Sequence, residues 1–267
     1  MGWLIGNKSV SLINQYWSKE NPVAKKFHLF GKRDKAFLNI EECQKLHALT
    51  FLDEKHPFGK VDMTSVVGMV GYNTDLSEFE RRISKSLRIV NKISELSDLT
   101  QSAVNCYVPL EKVSDAIELR ENGSGKSAHW LKGTLFLSLP MENEYSDYEL
   151  ALNIVHELGH QVLMVYQDSD PLLKNIAEPI FSSVRKTNRP AIMSLHGLVA
   201  VYFMLFFLKS LKNQDEEINK YTLEKTKILY TDFVQGAFAL RNCEFTPAGL
   251  LLFDEMIDFA MTAHDAA

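Results

Sequence analysis

The run Ile154-Val155-His156-Glu157-Leu158-Gly159-His160 reads HELGH inside a longer segment, Tyr145 to Tyr166, with helical periodicity. Residues i and i+4 share a helix face, so His156 and His160 project side by side and can chelate one divalent metal. Glu157 lies about 100° further round, where it reaches the space beside that metal rather than joining the pair. A chance match on an amphipathic helix is the plain alternative. Here Leu150, Ile154, Leu158, Val162 and Leu163 are apolar at helical spacing. That places the motif on a core helix, as a metal site requires.

Working outward, 267 residues with 46% hydrophobic and 24% charged content suit one domain with a sizeable core. The formal net charge of −5, with no dense basic run, argues against nucleic acid as a partner. Cys43, Cys106 and Cys243 are far apart and odd in number. They suggest neither a disulfide framework nor a CxxC site, so a reducing, cytoplasmic setting is expected. The opening MGWLIGNKSV has no charged n-region, and Gly6 breaks the myristoylation pattern. Ala191 to Leu208 is apolar except for Ser194, His196 and Gly197. A histidine in such a run fits a protein interior better than lipid, so a buried helix is expected and no membrane partner.

The flanks read as mostly α with a small β element, an α+β chain forming a single domain over 1–267. Residues 1–100 form a helical N-terminal part, 100–210 the metal-site core and 211–267 the C-terminal helices. Short and longer helices are expected at Val10 to Trp17 and Ile40 to Lys55, the latter carrying His47 and followed by His56. The basic pairs Lys25-Lys26 and Lys32-Arg33 read as solvated surface. Asp75 caps a helix predicted to run to Leu96, with Phe79, Ile83, Leu87, Val90 and Ile93 as its stripe. Ser102 to Val108 alternates as a strand would; Asn122-Gly123-Ser124-Gly125 reads as a loop; Thr134 to Leu139 is a second strand. A strand followed by an HExxH helix is a zincin-like order, in which the strand edges the cleft and can pair with an extended peptide; the equal alternative is a structural member of a hairpin. His129 precedes that strand and reads as a loop residue. A loop is expected from Asp168 to Pro190, then the buried helix of a helical bundle, a helix from Glu216 to Arg241, and a last one capped by Thr246-Pro247.

Two histidines need a third ligand. Leu163 and Tyr166 rule out the HExxHxxGxxH pattern. Glu178 sits just before Pro179, a poor helix interior, and Asp168 and Asp170 read as loop and turn residues. His196 lies in the most apolar helix, where an imidazole is costly unless hydrogen-bonded or bound to metal. It is the stronger candidate, with a hydrogen-bonded core histidine as the alternative.

Downstream of the motif stand Asp170-Pro171-Leu172-Leu173, Ser182-Ser183-Val184-Arg185, Arg189-Pro190 and Leu195-His196-Gly197. In order and spacing, residues 125–210 resemble the 2-oxoglutarate-dependent HExxH-type peptide β-hydroxylases, peptide-modification proteins of ribosomal-peptide pathways. Ser183 and Val184 stand where that family carries Pro and Trp. The resemblance implies Fe(II) held by His156, His160 and His196, with 2-oxoglutarate and O2 as cosubstrates. It also implies a precursor peptide as substrate, hydroxylated at a β-carbon. Arg185 and Arg189 are then candidates for the far carboxylate of 2-oxoglutarate, since guanidinium forks match carboxylates. Glu157 would be a catalytic residue of a different kind from a peptidase base. The competing reading is a Zn(II) metallopeptidase with Glu157 as general base on bound water. A third is a metal-bound binding module without turnover. Imidazole suits both metals, so the motif does not choose between them.

Overall fold

A computed structural model describes residues 2–17, 75–104, 106–110, 123–127, 133–211 and 216–264. The expected helix Ile40 to Lys55, the basic pairs, His47, His56 and His129 lie outside them. Among the described residues the chain is mostly helical with a small sheet. The elements are α1 (Asn7–Trp17), α2 (Leu76–Val90), α3 (Ser94–Ala103), β1 (Cys106–Pro109), β2 (Ser124–Lys126) and β3 (Thr134–Ser138). Then follow α4 (Ser146–Gln167), β4 (Pro179–Ser182), β5 (Thr187–Pro190), α5 (Ala191–Ser210), α6 (Glu216–Leu240) and α7 (Pro247–His264).

Helices α4 and α5 form the centre. Most of α5 is buried on every side, including Leu195, Val199, Phe203 and Phe207. It is the one described helix long and apolar enough to cross a membrane, and 72% of its apolar window lies inside the protein. Helix α6 packs on α5, α2 on α4, and α1 on α3 and α4. Tyr202 of α5 meets Phe259 of α7 edge-on at 5.1 Å between ring centres. Glu149 and Lys225 tie α4 to α6 across 2.5 Å.

The helix expected to run from Asp75 to Leu96 is two helices. Asp75 does cap the first, accepting from Ser77 N and Glu78 N. The chain then leaves the helix at Asn91, a weak helix former. The bend turns Leu96, Leu99 and Ala103 into the core along with Phe79, Ile83 and Val90. Ser102 and Ala103 therefore end a helix, and the strand is Cys106–Pro109, which takes only the end of the alternating run and goes one residue beyond it.

The three-stranded sheet has the order β1-β3-β2, with β1 parallel and β2 antiparallel to β3. One of its features differs from the sequence expectation, and another decides between two readings. Ser124 and Gly125 belong to a strand, because the open side of β3 supplies partners that their own propensity does not; Ser124 N donates to Ser138 Oγ at 2.8 Å. β3 is paired on both sides, which makes it the structural member of the two readings rather than a free cleft edge, and both β2 and β3 contact the motif helix. Gln161 fastens β3 to α4: its Oε1 accepts from Gly133 N at 2.9 Å and its Nε2 donates to Thr134 O at 3.1 Å.

The expected loop between α4 and α5 contains a second structure, the β4–β5 hairpin, in the register Ser182↔Thr187 to Pro179↔Pro190. Its strands are four residues each and largely exposed, too short for an alternation to announce them. Lys186 closes the turn at φ 54, donating its N–H to Ser182 O at 2.7 Å. The turn is held at its sides: Lys186 pairs with Asp232 of α6 at 2.7 Å, and a Cβ on Gly236 would stand 2.9 Å from Ser183 Oγ.

Candidate metal centre

The centre begins with a close crossing of helices. A Cβ at Gly159 would stand 3.1 Å from Ala200 Cα and 3.2 Å from the Phe203 ring. Only a glycine lets α5 approach this near without displacement. The result is that His196, one turn before Ala200, is laid against His160. His160 Nδ1 and His196 Nδ1 are 3.3 Å apart. On the other side, His160 Nε2 and His156 Nε2 are 3.2 Å apart. Two nitrogens bound to one ion at about 2.1 Å stand about 3.0–3.4 Å from each other, so the His156–His160 pair has metal-chelating separation. Ligand atoms of His156, Glu157 and His160 all lie within 4.8 Å of one another, a group that can hold a metal ion.

The outer partners say where the protons are. His196 Nε2 is 2.8 Å from Gln167 Oε1, and His156 Nδ1 is 3.3 Å from Met204 Sδ. With Gln167 Oε1 and Met204 Sδ taken as the acceptors, the hydrogen-bond pattern assigns the proton of His196 to Nε2 and that of His156 to Nδ1. Each ring then turns a lone pair toward His160. A neutral His160 has one N–H, so it can satisfy only one of them. Burial first, and then the neighbouring His156, His196, Arg185 and Arg189, hold His160 well below the ordinary imidazole range, which prevents a second proton. One contact therefore sets two lone pairs face to face in the metal-free chain. With the His160 proton on Nδ1, toward His196, the two lone pairs are those of His156 Nε2 and His160 Nε2, and a cation between them removes that repulsion; the pair fits a metal, while His196 faces the other ring nitrogen of His160.

Glu157 is 1% exposed. Its carboxylate packs on the backbone of β2: a Cβ at Gly125 would lie 2.5 Å from Glu157 Oε1. Oε1 stands 3.8 Å from His156 Nε2, while Oε2 has no hydrogen-bond partner among the described residues. Burial pushes the carboxyl up to about 8, against the opposing pull of Ser127, Arg185 and Lys126.

Arg185 lies in the hairpin turn and Arg189 in β5. The positive charge of Arg185 reaches both Glu157 and His160, and that of Arg189 reaches His160. The hairpin thus carries both guanidinium groups to the side of the histidine cluster. Val184 rests near Gly197 of α5, where a Cβ would be 3.8 Å from Val184 Cγ2. The other ligand candidates are elsewhere employed. Asp170 Oδ1 accepts from Leu172 N at 2.7 Å and from Thr246 Oγ1 at 2.5 Å. Asp168 ends α4. Glu178 is exposed, and its charge is felt by Cys243.

Three residues at the centre escaped the sequence reading: Gly125, Gln167 and Met204. Two carried a legible signal. Gln167 continues the stripe of His156, His160 and Leu163 at helical spacing, and Met204 continues that of His196 and Ala200. Gly125 had none, since its role arises from sheet pairing. No protein-family model matches this chain, and no curated protein matches it.

Proposed function

We propose that this chain is an Fe(II)- and 2-oxoglutarate-dependent hydroxylase acting on the β-carbon of a residue in a ribosomally made precursor peptide. The observation that carries the reading is the His156–His160 pair at chelating separation, with His196 against the other nitrogen of His160 and the charge of two arginines from one hairpin reaching it; His196 joins the ligand set on a turn of the His160 ring. The order of a strand and then the motif helix is compatible with a zincin-like layout, and the downstream hairpin adds groups that hydrolysis of a peptide does not call for.

In this reading His156, His160 and His196 hold the iron. The bound iron, with 2-oxoglutarate and O2, supplies oxidative decarboxylation of the cosubstrate coupled to insertion of one oxygen atom into a C–H bond. Arg185 and Arg189 bind the far carboxylate of 2-oxoglutarate through their planar forks and so set its orientation. Glu157, sealed against β2, walls one side of the centre from water. Its raised pKa makes it a proton donor at neutral pH in the metal-free chain, the opposite of what a general base requires.

A Zn(II) metallopeptidase remains the second reading, because Glu157 Oε1 does stand beside His156, and a bound cation would draw its proton off. The two readings part at the product. Anaerobic protein with Fe(II) and 2-oxoglutarate is expected to develop a visible charge-transfer band, release succinate once O2 is admitted, and add one oxygen atom to a peptide encoded beside it. Tight zinc, no band and a cleaved peptide would establish the peptidase instead. Metal content in His196→Ala and Glu178→Ala tests the third ligand: it is expected to fall in the first alone.

A further inference from the structure

We propose that Gln167 is a positioning residue. It holds His196 in one tautomer, with Nδ1 aimed at Nδ1 of His160. The proposal rests on the metal-centre reading above and adds a part that neither the motif nor the resemblance names.

The side chains form one continuous line: Met204 Sδ, His156, His160, His196 and Gln167 Oε1, joined at 3.3, 3.2, 3.3 and 2.8 Å. The Gln167 end is the stronger anchor. An amide oxygen is a better acceptor than a thioether sulfur, and 2.8 Å is a short N–H···O separation. His196 is 9% exposed, so water is a poor substitute for this acceptor. With Nε2 as the donor, Nδ1 is the ring's remaining lone pair, and it points at His160. The same bond limits rotation of the ring about its Cβ–Cγ axis. A histidine that binds metal through one nitrogen and donates from the other to an oxygen is a recurring arrangement, and it raises ligand basicity. Gln167 is the last residue of α4 and His196 sits in the second turn of α5, so the bond also locks the two helices in register.

The test uses the whole chain with histidine 15N-labelled. In the metal-stripped wild type, long-range 1H–15N spectra are expected to show His196, assigned by loss of its signals in His196→Asn, as the pure Nε2–H form. Gln167→Leu removes the acceptor and is expected to mix the tautomers and to weaken Co(II) binding by about 10–100-fold. Gln167→Glu restores an acceptor oxygen and is expected to return both the tautomer and the affinity toward wild type. A purely structural role would not give that rescue. Should Gln167→Leu unfold, Gln167→Met keeps the side-chain length and removes the acceptor. An unchanged His196 tautomer in the folded variant overturns the proposal, whether or not cobalt binds. A tautomer lost on substitution, in a wild type that takes up no cobalt, overturns the metal-centre reading and leaves Gln167's hold on His196 standing.

Discussion

Replacing Glu157 by glutamine takes away a carboxyl that the fold keeps protonated near neutral pH. Burial raises this group from 4.5 to about 8. Between those values the folded chain keeps a proton that the unfolded chain has released. Its contribution to stability is therefore full below 4.5 and is lost as pH rises through 8. His160 works in the opposite sense. Its folded pKa is depressed, so the unfolded chain takes up a proton first, and stability falls as pH drops below about 6.5. The window that isolates Glu157 is accordingly about pH 7 to 8. Across it the unfolded carboxyl contributes about 1.4 kcal/mol and the folded one returns about 0.4, a net loss of about 1 kcal/mol. In thermal terms this is a fall of about 2–4 °C in Tm. Urea unfolding of chelator-stripped wild type and Glu157→Gln at half-unit pH steps measures it. The wild type is expected to lose stability over this window and the variant to stay flat relative to it. Parallel curves would falsify the assignment of Glu157 as a buried, protonated carboxyl.

Three further outcomes follow from the geometry. Gly159→Ala sets a methyl 3.1 Å from a backbone atom of α5; overpacking of about 1–3 kcal/mol outweighs the helix-propensity gain of about 1 kcal/mol, and calorimetry is expected to show a net destabilisation together with weaker metal uptake. Gly125→Ala places a methyl 2.6 Å from Glu157 Cγ; it is expected to destabilise by about 1–3 kcal/mol in the wild-type background and much less beside Glu157→Ala, a coupling that a double-mutant cycle in urea reads directly. Asp75→Ala removes the cap of α2, and a loss of about 1 kcal/mol is expected with no change in metal affinity.

Helix positions and types were largely legible where the apolar period was long. The α4 pattern from Leu150 to Leu163 and the unbroken apolar run of α5 leave little choice, since each must bury a face or a whole surface. The Asp75 and Thr246 caps were equally plain, because a cap is a local hydrogen bond. What failed was not local. Nothing in Asn91 announces that Leu96 and Leu99 turn toward the core. Ser124–Lys126 becomes a strand through the partners that β3 offers. The β4–β5 hairpin, short and largely exposed, has no pattern to read.

The centre divides the same way. The sequence by itself determined that His156 and His160 share a face, for that is a property of any α-helix. It also named Arg185, Arg189 and His196 as candidates by type and order. Tertiary structure alone decided that His196 lies 3.3 Å from His160, because this depends on a helix crossing that Gly159 permits and Phe203 packs. It alone sealed Glu157 against the backbone of Gly125, and it alone gave His196 an acceptor in Gln167. Spacing along one helix sets directions; distances between helices, and the protons that those distances imply, exist only once the helices are packed.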